Sequence, residues 1–242
     1  MAEKITLGIC TSGSRLKLAA ARGGHCSGLQ KKVYNQERVL FTALRALLAK
    51  AGGGLRDVGM VCAARGPGRF TGIRISLTLA GALKALAGAE VYTATLFEIL
   101  ALQAADNPHF RAWAGKSGQA GGARLAALVH AFKDEYFCQL FRAGGRLKLP
   151  RPEGEPVWLK AEELAKMLAA QPGPLYVVAD SEEAPEIYGL APAAAVRAPG
   201  AISRIVPAYI IKTALACRNK TLKPLYLKPA KYEMENSQKA GS

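Results

Sequence analysis

The 242-residue sequence has no Cys-x-x-Cys pair, and its five cysteines (Cys10, Cys26, Cys62, Cys138, Cys217) are scattered and odd in number. That argues against a zinc ribbon or a disulfide framework, and a reducing cytoplasm is the expected compartment. Histidine is scarce as well. His25, His109 and His130 are the only three, and no two stand four apart, so the HxxxH pair of a helix-borne metal site is missing. Each is read as a surface or packing residue. No apolar run approaches the roughly 20 residues of a membrane span. The opening MAEKITLGIC lacks the apolar core of a signal peptide, so no membrane is expected. No GxSxG elbow supports a serine hydrolase, and no period of about 20–50 residues supports a solenoid.

Acidic residues are few. Eighteen Asp and Glu face 33 Lys and Arg, for a net charge of +15. Such a balance suits an ordinary basic protein, or one that meets nucleic acid or an acidic partner. The densest basic cluster is late: Arg204, Lys212, Arg218, Lys220, Lys223, Lys228 and Lys231. Hydrophobic residues make up 50% of the chain, enough for one large domain or two lobes with their own cores.

Alternation in ITLGIC and RLKLAAA predicts a strand and a returning strand, with RGGHCSG as a turn after them. Over 36–51, Val39, Leu40, Ala43, Leu44, Leu47, Leu48 and Ala51 form one helical stripe, stopped by GGG at 52–54. VGMVCAA and EVYTAT read as further strands, and 96–105 as a helix. The stretch 106–123, rich in Gly, Ala and basic residues, breaks the pattern and reads as a loop or linker. It divides a first lobe, 1–105, from a second, 124–232. The second lobe carries a strand pair (LAALVHAF, EYFCQLFR), a helix in KAEELAKMLAA, the strand LYVVAD and a late helix after Pro207. The polar tail 233–242 is expected to be disordered.

Between two of these elements lies AARGPGRFTGIRISLTLAGALKALAG. A P-loop needs a Gly-Lys pair, and none stands at the right distance from Gly66 or Gly68; the GxGxxG fingerprint fails because Gly72 comes one residue too late after Gly66 and Gly68. The residues favour a structural turn. Gly66 and Gly68 permit tight backbone, Pro67 fixes φ, and Thr71 is placed to cap a helix that begins near Gly72. An anion at that helix N-terminus stays open. The helix over 73–87 has two apolar rows, which include Ile73, Leu77, Ala80 and Ile75, Leu79, Ala82. A third row is Arg74, Thr78, Gly81 and Ala85. Either the helix is buried within its own lobe or its small-residue face meets another subunit.

The segment GPGRFTGIRISLTLAGALKALAG, the strand-turn-strand LGICTSGSRLKLAAARGG and the late PLYLK resemble the TsaB (YeaZ) family. That family is a non-catalytic relative of the TsaD/Kae1 proteins in the synthesis of threonylcarbamoyladenosine beside the tRNA anticodon. The resemblance implies an α/β chain with the ASKHA (actin-like ATPase, RNase H-like) fold, two lobes each built on a mixed five-stranded sheet flanked by helices. It implies a scaffold subunit without catalytic residues, metal or cofactor of its own. ATP and metal would sit on its partners, a TsaD-like catalytic subunit and a TsaE-like ATPase, and tRNA would be met indirectly or through a basic face. It also implies pairing through the first two helices of the N-terminal lobe, or a homodimer in isolation. On this sequence those helices offer Phe41, Arg45, Leu48, Arg74, Thr78, Gly81, Ala82 and Ala85.

The sequence departs from active members of the fold at their acidic anchors. Cys10 stands where an Asp holds magnesium, His130 where the family often has the Asp of a DAR motif, and Asp180 remains alone as a remnant of the nucleotide site. A thiol is a poor ligand for a hard cation. Arg69 and Ser76 replace a usual Ser and Gly. Two other functions are weighed beside the scaffold: a free-standing ATP-binding ASKHA enzyme, which the lost acids disfavour, and direct tRNA binding through the basic C-terminal segment.

Overall fold

The apolar alternation of the N-terminus becomes strand β1 (Ile5–Cys10), in which all residues but Thr6 are buried. In the computed structural model, which describes residues 3–116, 122–144 and 149–228, β1 is the centre of a mixed sheet. Its companions are β2 (Arg15–Arg22), β3 (His25–Lys32), β4 (Val58–Ala64) and β5 (Glu90–Ala94), in the order β3-β2-β1-β4-β5. The hairpin strands β2 and β3 pair antiparallel, whereas β4 and β5 pair parallel. Parallel neighbours need crossovers, and α1 (Gln36–Lys50) and α2 (Phe70–Ala87) supply them.

The second half repeats this plan. Strands β6 (Ala123–Phe132), β7 (Glu135–Ala143), β8 (Arg151–Lys160), β9 (Leu175–Ala179) and β10 (Val196–Arg197) form a sheet of order β10-β9-β6-β7-β8. Here β6 takes the part of β1, antiparallel to β7 and parallel to β9. Helix α5 (Ala161–Ala169) stands between β8 and β9, and only a 3-10 segment, Pro185–Leu190, lies between β9 and β10.

Two helices join the halves. Helix α3 (Leu96–Ala105) comes from the first half but packs on β6, β7 and β9. Helix α6 (Pro207–Cys217) comes from the second half but packs on β1, β4 and β5, and the two helices touch. One apolar cluster therefore runs through both sheets, including Cys62, Phe97, Leu100, Phe141, Tyr176 and Ile210. Separate clusters lie under α1 and α2 and under α5. The length and apolar composition of α2 would suit a membrane span, yet it packs on β4, β1 and β5 with Ile73, Leu77, Ala80 and Leu83 buried, as a core helix does.

Three expectations are corrected. Only Gly23 and Gly24 turn the chain after β2, so HCSG opens β3 rather than completing a turn. Residues 106–123 are not a plain linker, because Pro108–Lys116 is a helix, α4. Phe110 anchors it, 1% exposed and edge-on to Tyr176 at 5.0 Å, with Trp113 one turn on. The edge strand β8 was not anticipated, since RPEGEPVWLK contains two prolines and a glycine; an edge strand tolerates them because one side of it needs no ladder bonds. The tail 233–242 and Lys231 lie outside the described residues, as do 117–121 of the expected linker.

Candidate functional site

The chain leaves β4 at Ala64 and turns through Gly66, Pro67 and Gly68 into α2. Gly66 has φ +107° and Gly68 φ +149°, values that side-chain-bearing residues rarely take. The turn is welded to the loop after β1. Arg69 N–H donates to Ser12 O at 2.7 Å, and the Thr11 hydroxyl donates to Gly72 O at 2.5 Å. Ser76 Oγ lies 2.5 Å from Thr11 Oγ1 and accepts from Thr11 N–H at 3.1 Å. With these groups occupied by the protein itself, the turn aims α2. Thr71 is not its cap. The helix begins at Phe70 with Arg69 in the N-cap position and no side-chain cap, so Thr71 falls within the first turn and points outward.

Beside this turn, between the lobes, is a cleft of about 230 Å³ lined in part by Cys10, Lys17, Arg69, His130 and Asp180. Cys10 ends β1 with 2% exposure and its Sγ 3.3 Å from Ser12 Oγ; burial pushes the thiol pKa up, so it stays neutral. Asp180 follows β9 and is 3% exposed. In the same cleft the Lys17 ammonium of β2 lies 3.5 Å from Asp180 Oδ2 and 3.1 Å from Glu182 Oε2. Burial works against the Lys17 charge, but Asp180 and its neighbours outweigh it and raise the pKa. Burial, with Glu183 and Glu182 adding to it, raises the Asp180 pKa against the pull of Lys17. Burial would raise Glu182 too, but Lys17, Gln30 and Arg15 together hold it below the usual range. One residue on, Glu183 accepts from Ser14 N–H at 2.9 and 3.0 Å and from the Ser14 hydroxyl at 2.9 Å.

The ASKHA fold raises the question of a magnesium nucleotide here, and these residues fit one poorly. Cys10 offers a neutral thiol to a hard cation. The Lys17 ammonium already holds Asp180 and would repel a metal. The Glu183 carboxylate holds the amide that a phosphate would seek. Asp180, anticipated from sequence, is in the cleft; Lys17, Glu182, Glu183 and Ser14 were missed. A lysine inside the apolar run RLKLAAA was the available signal.

Among the described residues no group of three His, Cys, Asp or Glu is placed to hold a metal ion. His130 Nε2 contacts Lys133 O at 2.8 Å, His109 Nδ1 contacts Tyr176 OH at 2.9 Å, and His25 is exposed.

The anticipated partner face is brought together only in part. Phe41 and Arg45 are exposed on α1, but Leu48 is fully buried, because it continues the inward stripe of Leu40, Leu44 and Leu47. On α2, Arg74, Thr78 and Ala85 are exposed, and Gly81 and Ala82 are half-buried. The chain's own C-terminal segment borders this face. A Cβ at Gly81 would stand 3.7 Å from Leu222 Cδ1, and Tyr226 stacks on Phe70 at 4.9 Å. The Arg74 guanidinium lies 3.8 Å from the centre of the Phe70 ring, and its Nε donates to Tyr226 OH at 3.3 Å.

Two mixed five-stranded sheets of matching order, flanked by helices and enclosing a cleft, place the chain in the ASKHA class of folds. Within that class it belongs to the family described as TsaD: tRNA N6-adenosine threonylcarbamoyltransferase, whose model matches residues 34–155, half of the chain. Among solved structures it resembles an uncharacterized protein with similarity to peptidase YEAZ from Pseudomonas aeruginosa, with a TM-score of 0.67 and 21% identity, over 94% of this chain and 100% of that one. YeaZ from Pseudomonas aeruginosa follows with a TM-score of 0.64 and 20% identity, over 93% and 100% of the two chains. The likeness is one of fold, and the fold is TsaB-like. No curated protein matches the sequence.

Proposed function

We propose that this chain is a non-catalytic, cytoplasmic subunit of the TsaB type, which binds and activates a TsaD-like catalyst. In that role it supports threonylcarbamoylation of the adenosine beside the tRNA anticodon, with ATP and metal carried by the catalyst and a TsaE-like ATPase. The observation that carries this reading is the open side of α2. The helix is apolar almost all round, yet Arg74, Thr78, Ala85 and the 88%-exposed Leu86 remain uncovered, within the segment matched to the family. Small residues let another helix approach closely, and a helix pair from each side can reach the roughly 800 Å² per partner of a standard interface. The same face would serve a homodimer of the isolated chain. The poor fit of the cleft to a magnesium nucleotide speaks against a free-standing ATP-binding enzyme.

The test is co-purification with the TsaD homologue of the same genome, followed by nucleoside analysis of tRNA after depletion of this chain. A stable complex and a loss of threonylcarbamoyladenosine support the reading; neither appearing overturns it. Direct contact with tRNA is the second reading. It draws on the exposed Arg204, Lys212, Arg218, Lys220 and Lys223, and on the Phe70–Arg74–Tyr226 stack. It calls for an affinity of this chain alone for tRNA that falls steeply with salt.

A further inference from the structure

We propose that the inter-lobe cleft is self-liganded: Lys17 and Glu183 supply from within the chain the cation and the anion that a magnesium nucleotide brings to such a cleft, and they clasp the lobes in one arrangement.

Each contact crosses between lobes. Lys17 and Asp180 are 163 residues apart in sequence, and Ser14 and Glu183 are 169 apart. The Lys17 side chain is 3% exposed and that of Asp180 4%, so neither charge is shared with bulk water. Glu182 extends the clasp, taking Gln30 Nε2 at 2.7 Å and Arg15 Nε at 3.4 Å, both from the first lobe. Glu183 closes on the loop after β1 so tightly that a Cβ at Gly13 would lie 2.6 Å from its Oε1. A loop that presents N–H groups to a cleft is an anion cradle, and here its occupant is the protein's own carboxylate. Opposite it, a buried carboxylate that could hold a divalent cation holds an ammonium instead. Buried ion pairs add little net stability, since desolvation consumes most of the attraction, but they fix geometry because breaking one leaves an uncompensated charge. The clasp therefore sets the relative position of the lobes without any ligand. It rests on the cleft alone and stands whether or not a TsaD-like partner binds.

The test uses the purified full-length chain. Magnesium ATP is titrated calorimetrically into the wild type, and hydrogen exchange is followed in residues 11–18 and 180–183 of the wild type and of Glu183→Gln, which keeps the shape and removes the charge. The expected results are no binding heat at millimolar nucleotide, slow wild-type exchange in both segments, and exchange about tenfold faster there in the variant. Exchange in β4 should not change. Should Glu183→Gln fail to fold, Glu182→Gln, which removes the neighbouring carboxylate that holds Lys17, Gln30 and Arg15, is expected to speed exchange across 15–18 in the same way. The proposal is overturned by magnesium ATP binding to the wild type with a dissociation constant below about 0.1 mM, by fast wild-type exchange in both segments, or by variant exchange no faster than wild type.

Discussion

Gly72 and Thr11 touch backbone to backbone: a methyl group built on Gly72 would stand 1.9 Å from the Thr11 carbonyl oxygen. Gly72 has an ordinary helical position inside α2, where Gly→Ala commonly stabilises by about 0.5–1 kcal/mol. Here the sign must reverse, because the obstacle is backbone on both sides and cannot rotate away. Gly72→Ala is expected to destabilise the chain by about 3 kcal/mol, toward the upper end of overpacking costs. Urea denaturation checks it. A stabilised Gly72→Ala protein would mean that α2 can slide away from the loop.

Ser76 contributes to the same weld through its hydroxyl. It is fully buried, accepts from Thr11 N–H and pairs with Thr11 Oγ1. Ser76→Ala leaves a buried donor unpaired and should cost about 1–3 kcal/mol. Ser76→Thr keeps the oxygen and should cost less, provided that the extra methyl is accommodated. Equal losses from both substitutions would show that volume, not the hydrogen bond, matters at this position.

The regular parts of the fold were legible because they follow from neighbouring residues. The stripe of Leu40, Leu44, Leu47 and Leu48 declares α1, and the apolar VGMVCAA declares β4. Edge strand β8 was hidden because its prolines and glycine read as breakers, while its ladder on β7 is a tertiary fact. Helix α4 was hidden because two aromatic residues, Phe110 and Trp113, stabilise it against Tyr176, 66 residues further along the sequence. Thr95 and Glu98 form a reciprocal cap on α3, a spacing that sequence does display. In the cleft, Asp180 could be named from a resemblance. Its partner Lys17 could not, because no local pattern pairs residues 163 apart. The partner face was misplaced at Leu48 for a related reason: helical spacing gives the stripe but not its edge.

Glu153 on β8 supplies a pH test. Its carboxylate accepts from Arg142 Nε at 2.6 Å and from Arg124 Nε at 3.0 Å. Burial pushes its pKa up, but the two arginines together outweigh burial and hold it below its usual value of 4.5. A carboxylate with a lowered folded pKa contributes stability above its unfolded pKa and loses that contribution as pH falls through the folded value. The stability gap between wild type and Glu153→Gln should therefore be largest near neutrality and should shrink between about pH 5 and pH 3. Denaturation midpoints across that window measure it. A gap that stays constant or widens toward low pH would remove the arginine pairing as its source.

The partner face is best probed at Ala85. Gly81 is the more central small residue of its row, but a charge there would press on Leu222 and confuse loss of fold with loss of contact. Ala85 is exposed one turn further along the same row, beyond Gly81. In the free chain Ala85→Glu should change stability by no more than about 0.5 kcal/mol, as surface substitutions do. In a complex with a TsaD-like partner the same carboxylate would be desolvated and unpaired, at a cost of about 3–5 kcal/mol, which is more than a hundredfold in affinity. Lys84→Glu, also exposed but about 100° round the helix from Ala85 and outside the row Arg74, Thr78, Gly81 and Ala85, is the control and should leave binding within a few-fold of wild type. Thermal unfolding and pull-down of the partner are read together on both variants. If Ala85→Glu unfolds the chain, that side of α2 is core; if it pulls down the partner as well as Lys84→Glu does, the contact lies elsewhere on the molecule.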